Sequence, residues 1–195
     1  MKTSLLLLFT FFQLITYGQG KLLKDLDNDR IMDSVYIDSI RSTIVCRLST
    51  QDFKRIESKP IEILNETSGI RDAKDGFYFY NNWMRAGYSN QFRYDAKTKK
   101  IWLIGMSRYE FGNVTNDGSG ESSVNLLTNR YIGDWNYYDP GKEELISIPT
   151  IKAKMILEKT DLESFSENIY FTYAEKCSEL YYKGQGKMDK KTKKR

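Results

Sequence analysis

The alternation of apolar and polar residues along the middle of the chain predicts a succession of short β-strands. Runs of β-branched and aromatic residues with a period of two recur between residues 34 and 132, and polar or glycine-rich segments separate them. The predicted strands cover residues 34–40, 43–48, 59–64, 76–80, 90–94, 100–104, 123–127 and 130–132. Closely spaced strands joined by turns are typical of an antiparallel meander, which we expect to form a sandwich or an incomplete barrel.

Two local features refine this prediction. Residues 95–99 form a short polar connection between two predicted strands and read as a hairpin loop. Gly105 follows the second of these strands, where a bulge is expected because glycine interrupts an otherwise regular strand.

A different pattern begins near Ser164. Ser164 and Glu167 have the spacing of a capping box, in which a hydroxyl and a carboxylate bond the first free amides of a helix. Apolar residues then recur every four positions, which predicts one amphipathic helix ending before Gly184. These positions are Phe165, Ile169, Tyr173 and Cys177. The whole chain is therefore predicted to be mainly β (α+β), with one C-terminal helix.

The first 18 residues have the composition of a secretory signal peptide. Lys2 precedes the apolar stretch from Leu5 to Ile15, and Thr16 and Gly18 are the small residues that a signal peptidase reads. We expect cleavage before Gln19 and export to the periplasm or the extracellular space. No segment approaches the ~20 apolar residues of a membrane-spanning helix, so no transmembrane segment is expected.

Charge is distributed unevenly in a chain of 195 residues whose formal net charge is +4. Residues 183–195 contain seven basic residues and one acidic residue. We expect one β-rich domain over residues 19–183 and a disordered basic tail over residues 184–195. Such a tail serves mainly to keep the protein soluble, and weak contact with an anionic surface is the alternative. Specific nucleic-acid binding is not expected, because no aromatic residue lies among the basic ones to stack on bases.

The chain contains no histidine. This excludes Ser–His and Cys–His nucleophile pairs and His-ligated zinc sites, and the common phosphate-loop and nucleophile-elbow motifs are also absent. A non-enzymatic protein is therefore the leading expectation. A two-carboxylate glycosidase is the hydrolase that the composition permits, although no spacing selects a pair. Its candidate carboxylates are Asp72, Asp75, Asp95, Glu110, Asp134 and Asp139.

Acidic residues cluster a few residues after the predicted cleavage point. Asp25, Asp27, Asp29 and Asp33 occupy positions 1, 3, 5 and 9 of a short segment, and Ile31 at position 7 would add a backbone carbonyl. Calcium takes six to eight oxygen ligands, and alternate carboxylates on a tightly wound loop can converge on one ion. The carboxylates would otherwise repel one another. The pattern predicts a structural Ca²⁺ site, with an ion-free loop rich in Asx turns as the alternative.

This aspartate-rich stretch resembles the calcium loops of FG-GAP/VCBS-type, thrombospondin type 3 and dockerin repeats. In those families such a loop often leads into a strand, as this one leads into residues 35–37. Arg30 stands where the sharp turn usually has glycine, and Tyr36 stands where an EF-hand carries its bidentate glutamate. Both departures lower the expected affinity to the ~10⁻⁴–10⁻³ M range of extracellular modules.

The middle of the chain resembles small exported bacterial proteins of unassigned function. The residues that carry this resemblance are 81–94, 101–105 and 123–128. It implies the same fold class and the same export, and no particular activity.

Aromatic residues are abundant, with 14 tyrosines, 10 phenylalanines and 3 tryptophans. The segments 81–90 and 131–139 place aromatics beside Asn, Asp and Arg, a combination that suits sugar stacking or a protein interface. We therefore predict a surface that binds an unknown protein or glycan, with core or rim packing as the alternative. Its predicted residues are Trp83, Tyr88, Trp135, Tyr137 and Tyr138.

The two cysteines, Cys46 and Cys177, lie in apolar segments of a chain that we expect to be exported, where disulfides can form. One disulfide and two separate buried thiols are both open at this point.

Taken together, these features predict an exported, non-enzymatic protein that a calcium loop stabilises and that binds a protein or glycan through exposed aromatic loops. The alternatives are a carboxylate-dependent glycan hydrolase and an envelope inhibitor of the immunity type.

Overall fold

The computed structural model describes the backbone of residues 20–192 and the side chains of residues 20–188. The predicted signal peptide, residues 1–18, and its cleavage point lie outside this range. Within it, the chain forms two antiparallel sheets followed by a C-terminal α-helix. None of the helical structure in residues 20–192 combines the length and apolar character that crossing a membrane requires.

The first sheet has four strands in chain order. They are β1 (Leu22–Lys24), β2 (Asp33–Asp38), β3 (Thr43–Arg47) and β4 (Ile56–Glu57). Its central pair carries Val35, Ile44 and Cys46, all fully buried in the core that both sheets share. A short 3₁₀ turn, Ser49–Gln51, follows β3.

The second sheet has eight strands. They are β5 (Gly69–Asp72), β6 (Phe77–Asn82), β7 (Ala86–Asp95), β8 (Lys100–Glu110), β9 (Gly120–Asn125), β10 (Arg130–Asp139), β11 (Glu144–Ser147) and β12 (Ile151–Lys154). Strands β5 to β10 pair in chain order, and β11 and β12 share the far edge of β10. The predicted mainly β fold with an antiparallel meander is confirmed, and the sheets are open rather than closed into a barrel.

The hairpin between β7 and β8 has the predicted loop. The carboxylate of Asp95 accepts hydrogen bonds from the amide and the hydroxyl of Thr98, at 3.2 and 2.6 Å. The register then shifts between Gln91 and Phe92, whose partners are Gly105 and Leu103. The intervening residue of β8 is therefore the extra one, and the expected bulge lies directly beside Gly105.

The predicted strand over residues 59–64 does not form. The amide of Lys59 donates to the carbonyl of Phe165 at 2.9 Å, and the amide of Ile61 donates to that of Ser42 at 2.7 Å. Since these amides bond to the segment before the helix and to a turn, they are not available for a strand ladder.

The helix α1 (Asn168–Thr192) packs on one face of the large sheet. Tyr173 and Cys177 are fully buried there, and the Tyr173 hydroxyl lies 2.8 Å from the hydroxyl of Ser122 on β9. The predicted capping box is wrong, because the amide and hydroxyl of Ser164 donate to Asp161 at 2.9 and 2.7 Å. The carboxylate of Glu167 makes tertiary contacts instead.

The helix also continues past Gly184, where it was predicted to end, and residues 184–192 are helical rather than disordered. A Cβ at Gly184 would lie 3.0 Å from the side chain of Ile148 and 3.1 Å from that of Ile151. Glycine therefore permits a close approach of helix to strand at this position and does not act as a helix terminator.

Cys46 and Cys177 are both buried free thiols, so the alternative of a disulfide between them is wrong. Cys46 lies on β3 and Cys177 on α1, where its sulfur is 3.5 Å from the Ser122 hydroxyl. Burial raises the pKa of the Cys46 thiol, which keeps it protonated and unreactive.

Candidate ligand-binding trough and acidic loop

The face of the large sheet opposite α1 carries an open trough with a volume of about 640 Å³. Ser89, Ser107 and Ser123 are successive cross-strand partners on β7, β8 and β9 and form its floor. Ile132 on β10 is the next partner in the same row. Small side chains in the centre of a sheet leave a depression that larger neighbours wall in.

Two tyrosine rings border this floor, and each occupies the space above a glycine of the neighbouring strand. A Cβ on Gly69 would lie 2.3 Å from the hydroxyl oxygen of Tyr80, and one on Gly87 would lie 2.6 Å from Cε1 of Tyr109. Gly69 and Tyr80 are register partners, as are Gly87 and Tyr109. The absence of a side chain on each glycine therefore allows the ring to lean over the sheet, and cross-strand pairing holds it there.

A cation lies at the β5 end of the trough. The guanidinium of Arg71 is 4.7 Å from the ring centroid of Tyr78 and 6.0 Å from that of Tyr80. Its Nη2 also donates a 3.4 Å hydrogen bond to the hydroxyl of Ser89. Stacking on two rings orients the guanidinium while it remains exposed to solvent.

Two carboxylates lie at the other end. Glu121 on β9 and Asp134 on β10 are direct cross-strand partners, both exposed and both lining the trough. Asp134 accepts a 2.6 Å hydrogen bond from the hydroxyl of Thr150. Like charges directly opposite one another destabilise a sheet. This pair of carboxylates therefore lowers the stability of the sheet. It also offers hydrogen-bond acceptors to a ligand.

Asp134 is the one glycosidase candidate from the sequence that lines this trough. Asp75 does not line it. The others make contacts elsewhere: Asp72 pairs with Lys24 at 2.7 Å, Asp95 shapes its hairpin loop and Glu110 pairs with Arg108. Asp139 lies 3.6 Å from Lys142 in a turn.

Three of the five aromatics predicted to bind a partner are core residues. Tyr88, Trp135 and Tyr137 are 2%, 3% and 6% exposed. Their positions on β7 and β10 point to the helix side of the sheet, so their assignment to an exposed binding surface is wrong. The polar residues beside them in sequence belong to the opposite face, because successive strand residues alternate.

The other two are half-buried. The ring of Trp83 packs edge-on against Tyr88 and Tyr170, each at a centroid distance of 5.5 Å. The amide of Tyr138 donates to Asp117 at 2.8 Å. Neither lines the trough.

The trough tyrosines were missed by the sequence analysis, although a signal was present. In residues 77–80, Phe and Tyr alternate, and the structure buries Phe77 and Phe79 in the core while Tyr78 and Tyr80 remain partly exposed. In each Phe–Tyr pair, the tyrosine therefore indicates the face of the sheet that lies opposite α1.

The acidic loop between β1 and β2 brings three of its four aspartates together. Carboxylate oxygens of Asp25, Asp27 and Asp29 all lie within 4.8 Å of one another. Asp33 is fully buried, and its carboxylate accepts the amides of Leu26 at 2.7 Å and Ser49 at 2.8 Å. The cluster therefore has three carboxylates rather than the four predicted.

The backbone of this loop winds tightly around Asp25. Its carboxylate accepts the amides of Asn28 at 2.7 Å, Asp29 at 3.2 Å and Arg30 at 2.9 Å. Asn28 and Arg30 have positive φ angles of 66° and 72°. Arg30 thus adopts the left-handed conformation that glycine provides more easily.

The remaining carboxylates of the cluster contact the turn after β3. The hydroxyl of Ser49 donates to Asp29 at 2.6 Å, which together with the Ile31 amide lowers the pKa of the Asp29 carboxyl. The hydroxyl of Thr50 donates to Oδ2 of Asp27 at 2.5 Å. Oδ1 of Asp27 is shielded from solvent and has no hydrogen-bond partner within the described part of the chain.

The fold and the site define a mainly β protein whose larger sheet is covered by a helix on one face and carries an open polar trough on the other. No protein-family profile, curated protein or solved structure matches the chain.

Proposed function

We propose that the protein binds a glycan in the trough of the large sheet. The observation that carries this proposal is the pair of tyrosine rings, Tyr80 and Tyr109, each leaning over a glycine beside a serine floor. Sugars present an apolar face of C–H groups and a rim of hydroxyls. A tyrosine ring beside the floor can pack against the apolar face, and neighbouring polar side chains can hydrogen-bond the hydroxyls.

The polar groups around the rings suit such a ligand. Arg71 supplies donors at one end, and Glu121 and Asp134 supply acceptors at the other. Because most of these groups are exposed, a hydroxylated ligand can replace their water without a large desolvation cost. Export, which the first 18 residues predict, would place this surface where extracellular glycans occur.

Substituting Tyr80 or Tyr109 with alanine is expected to weaken glycan binding at least about tenfold, or roughly 1.4 kcal/mol, because each removes a stacking surface. The measurement is a screen of neutral and acidic oligosaccharides, followed by titration calorimetry of the best ligand. Tyr182→Ala is the matched control, since Tyr182 is 66% exposed and does not line the trough. Equal affinity of all three variants and the wild type would refute the proposal.

The carboxylate pair favours a glycan hydrolase as a second candidate function. Glu121 and Asp134 lie on neighbouring strands at the same level of the trough, and hydrolysis of a glycosidic bond uses two such groups. If the protein is an enzyme, it will release reducing ends from the glycan that it binds. Glu121→Gln and Asp134→Asn would then abolish release while binding persists. Binding without release supports the non-enzymatic function.

We also propose that the acidic loop holds a structural Ca²⁺ ion. Oxygens of three carboxylates lie within 4.8 Å of one another, and Oδ1 of Asp27 is buried without a partner among residues 20–188, which leaves an acceptor for a cation. The loop contacts the turn after β3 through Asp27 and Asp29, so a bound ion would join the N-terminal strand to the first sheet.

Calcium at 10 mM is expected to stabilise the protein by about 1.4–2.7 kcal/mol if the dissociation constant is ~10⁻⁴–10⁻³ M. For a chain of this size the unfolding midpoint should rise by roughly 3–10 °C relative to the protein in EDTA. Differential scanning calorimetry in both conditions measures this shift.

Asp27→Asn should abolish the calcium response, while Asp52→Asn should retain it. Asp52 is the matched control because its side chain is 87% exposed and lies outside the cluster. Arg30→Gly should strengthen the response, since it removes a cation and provides the positive φ without strain. An unchanged midpoint in the wild type would establish the ion-free loop.

A further inference from the structure

A second cleft lies between the edge strand β12 and the C-terminal half of α1, and has a volume of about 530 Å³. We propose that it binds a single-chain anionic amphiphile of the fatty-acid class. This proposal is independent of the trough, because no residue from 20 to 188 lines both cavities.

The walls of the cleft are apolar. Ile151 and Ala153 line it from β12, and Leu180 lines it from the helix, each of them only partly buried. Gly184, one helical turn beyond Leu180, also lines the cleft and lets the helix approach the strand closely. Partly exposed apolar walls on both sides of a groove fit a narrow aliphatic chain, since burying the chain removes apolar surface of both partners from water.

The charged side chains at the rim of the cleft are basic. Lys183 and Lys187 lie one helical turn apart and line the cleft, and no acidic residue lines it among those whose side chains are described. Lys183 approaches Glu179 at 4.0 Å, but both side chains are more than half exposed, so this pair is weak and open to exchange. Two lysines beside an apolar groove complement a carboxylate at the end of an aliphatic chain.

Lys152 also lines the cleft, but it alternates with Ile151 and Ala153 along β12. Its side chain therefore belongs to the other face of the strand. We accordingly assign recognition of the head group to the two helix lysines.

The test is a titration of the full mature chain with octanoate, decanoate and dodecanoate, each below the concentration at which it forms micelles. Because a buried methylene contributes about fourfold in affinity, each step of two carbons should strengthen binding about 15-fold. Decanol, which has the same chain without the charge, should bind at least tenfold more weakly than decanoate. A flat chain-length series or equal binding of decanol would overturn the proposal.

Charge reversal locates the site. The double variant Lys183→Glu, Lys187→Glu should weaken decanoate binding at least tenfold, and Ala153→Leu should weaken it by filling the groove. Lys176→Glu is the matched control, because Lys176 lies on the same helix outside the cleft and is partly exposed. The affinity of this variant for decanoate should equal that of the wild type. Loss of binding in Lys176→Glu as large as in the double variant would overturn the site assignment.

Vesicles distinguish a free amphiphile from a membrane surface. Phosphatidylglycerol vesicles should bind the wild type and Ala153→Leu equally if they bind at all, since a bilayer surface does not enter the groove. Vesicle binding that is equal in the wild type and in Ala153→Leu, without binding of free decanoate, would overturn the proposal in favour of a lipid surface.

Discussion

Substituting Phe165 with alanine is expected to lower the free energy of unfolding by about 3–5 kcal/mol. Phe165 is fully buried just before α1, and its ring packs edge-on against Phe92 at 5.1 Å and against Phe79 at 6.4 Å. Removing the ring leaves a cavity where the helix segment meets the centre of the large sheet. Urea denaturation of the variant and the wild type measures the difference.

The control for this substitution is Phe171→Ala, because Phe171 is 43% exposed in the first turn of α1. We expect it to cost less than about 1 kcal/mol. The midpoint of thermal unfolding should fall by roughly 10 °C for Phe165→Ala and by only a few degrees for the control. Similar losses in the two variants would show that the segment before α1 does not anchor the helix on the sheet.

Substituting Glu167 with alanine should cost about 3 kcal/mol or more, because several buried donors would lose their acceptor at once. Glu167 is only 2% exposed. Its Oε2 accepts the amides of Glu62 and Ile63 at 3.1 and 3.2 Å, and its Oε1 accepts the Tyr88 hydroxyl at 2.8 Å and the Asn81 amide at 3.3 Å. The side chain thus joins the start of α1 to the 59–64 segment and to the large sheet.

Two further variants separate this role from a general effect of charge. Glu158→Ala removes an exposed carboxylate near the helix and should leave stability within about 0.5 kcal/mol of the wild type. Glu167→Gln keeps the shape but replaces one acceptor with a donor, so we expect an intermediate loss, measured by the same urea titration. If Glu167→Ala were as stable as Glu158→Ala, the buried carboxylate would have no structural role.

Strands and turns were predictable where local chemistry and alternation agree. The β7–β8 hairpin follows from a polar loop between two alternating runs, and the bulge beside Gly105 follows from glycine in a strand. The predicted strand at 59–64 failed because its amides bond to Phe165, Ser42 and Glu167, which are distant in sequence. Local propensity does not report such partners.

The candidate site was only partly predictable. The aspartate spacing brought Asp25, Asp27 and Asp29 together as expected, because the carboxylates of a tightly wound loop lie close in sequence. Asp33 has the same residue type and the same spacing, yet it is buried against two amides. The trough required knowledge of strand register, since Glu121 and Asp134 become neighbours only when β9 and β10 pair.

Short-range patterns were enough to establish a mainly β chain, its meander of hairpins, its single C-terminal helix and the acidic loop, because each depends on residues a few positions apart. Packing between distant segments decided the rest. It determined which aromatics face the core, where the helix ends, that the two thiols stay apart and which side chains share the trough. The physical reason is that alternation separates the two faces of a strand without saying which one the helix will cover.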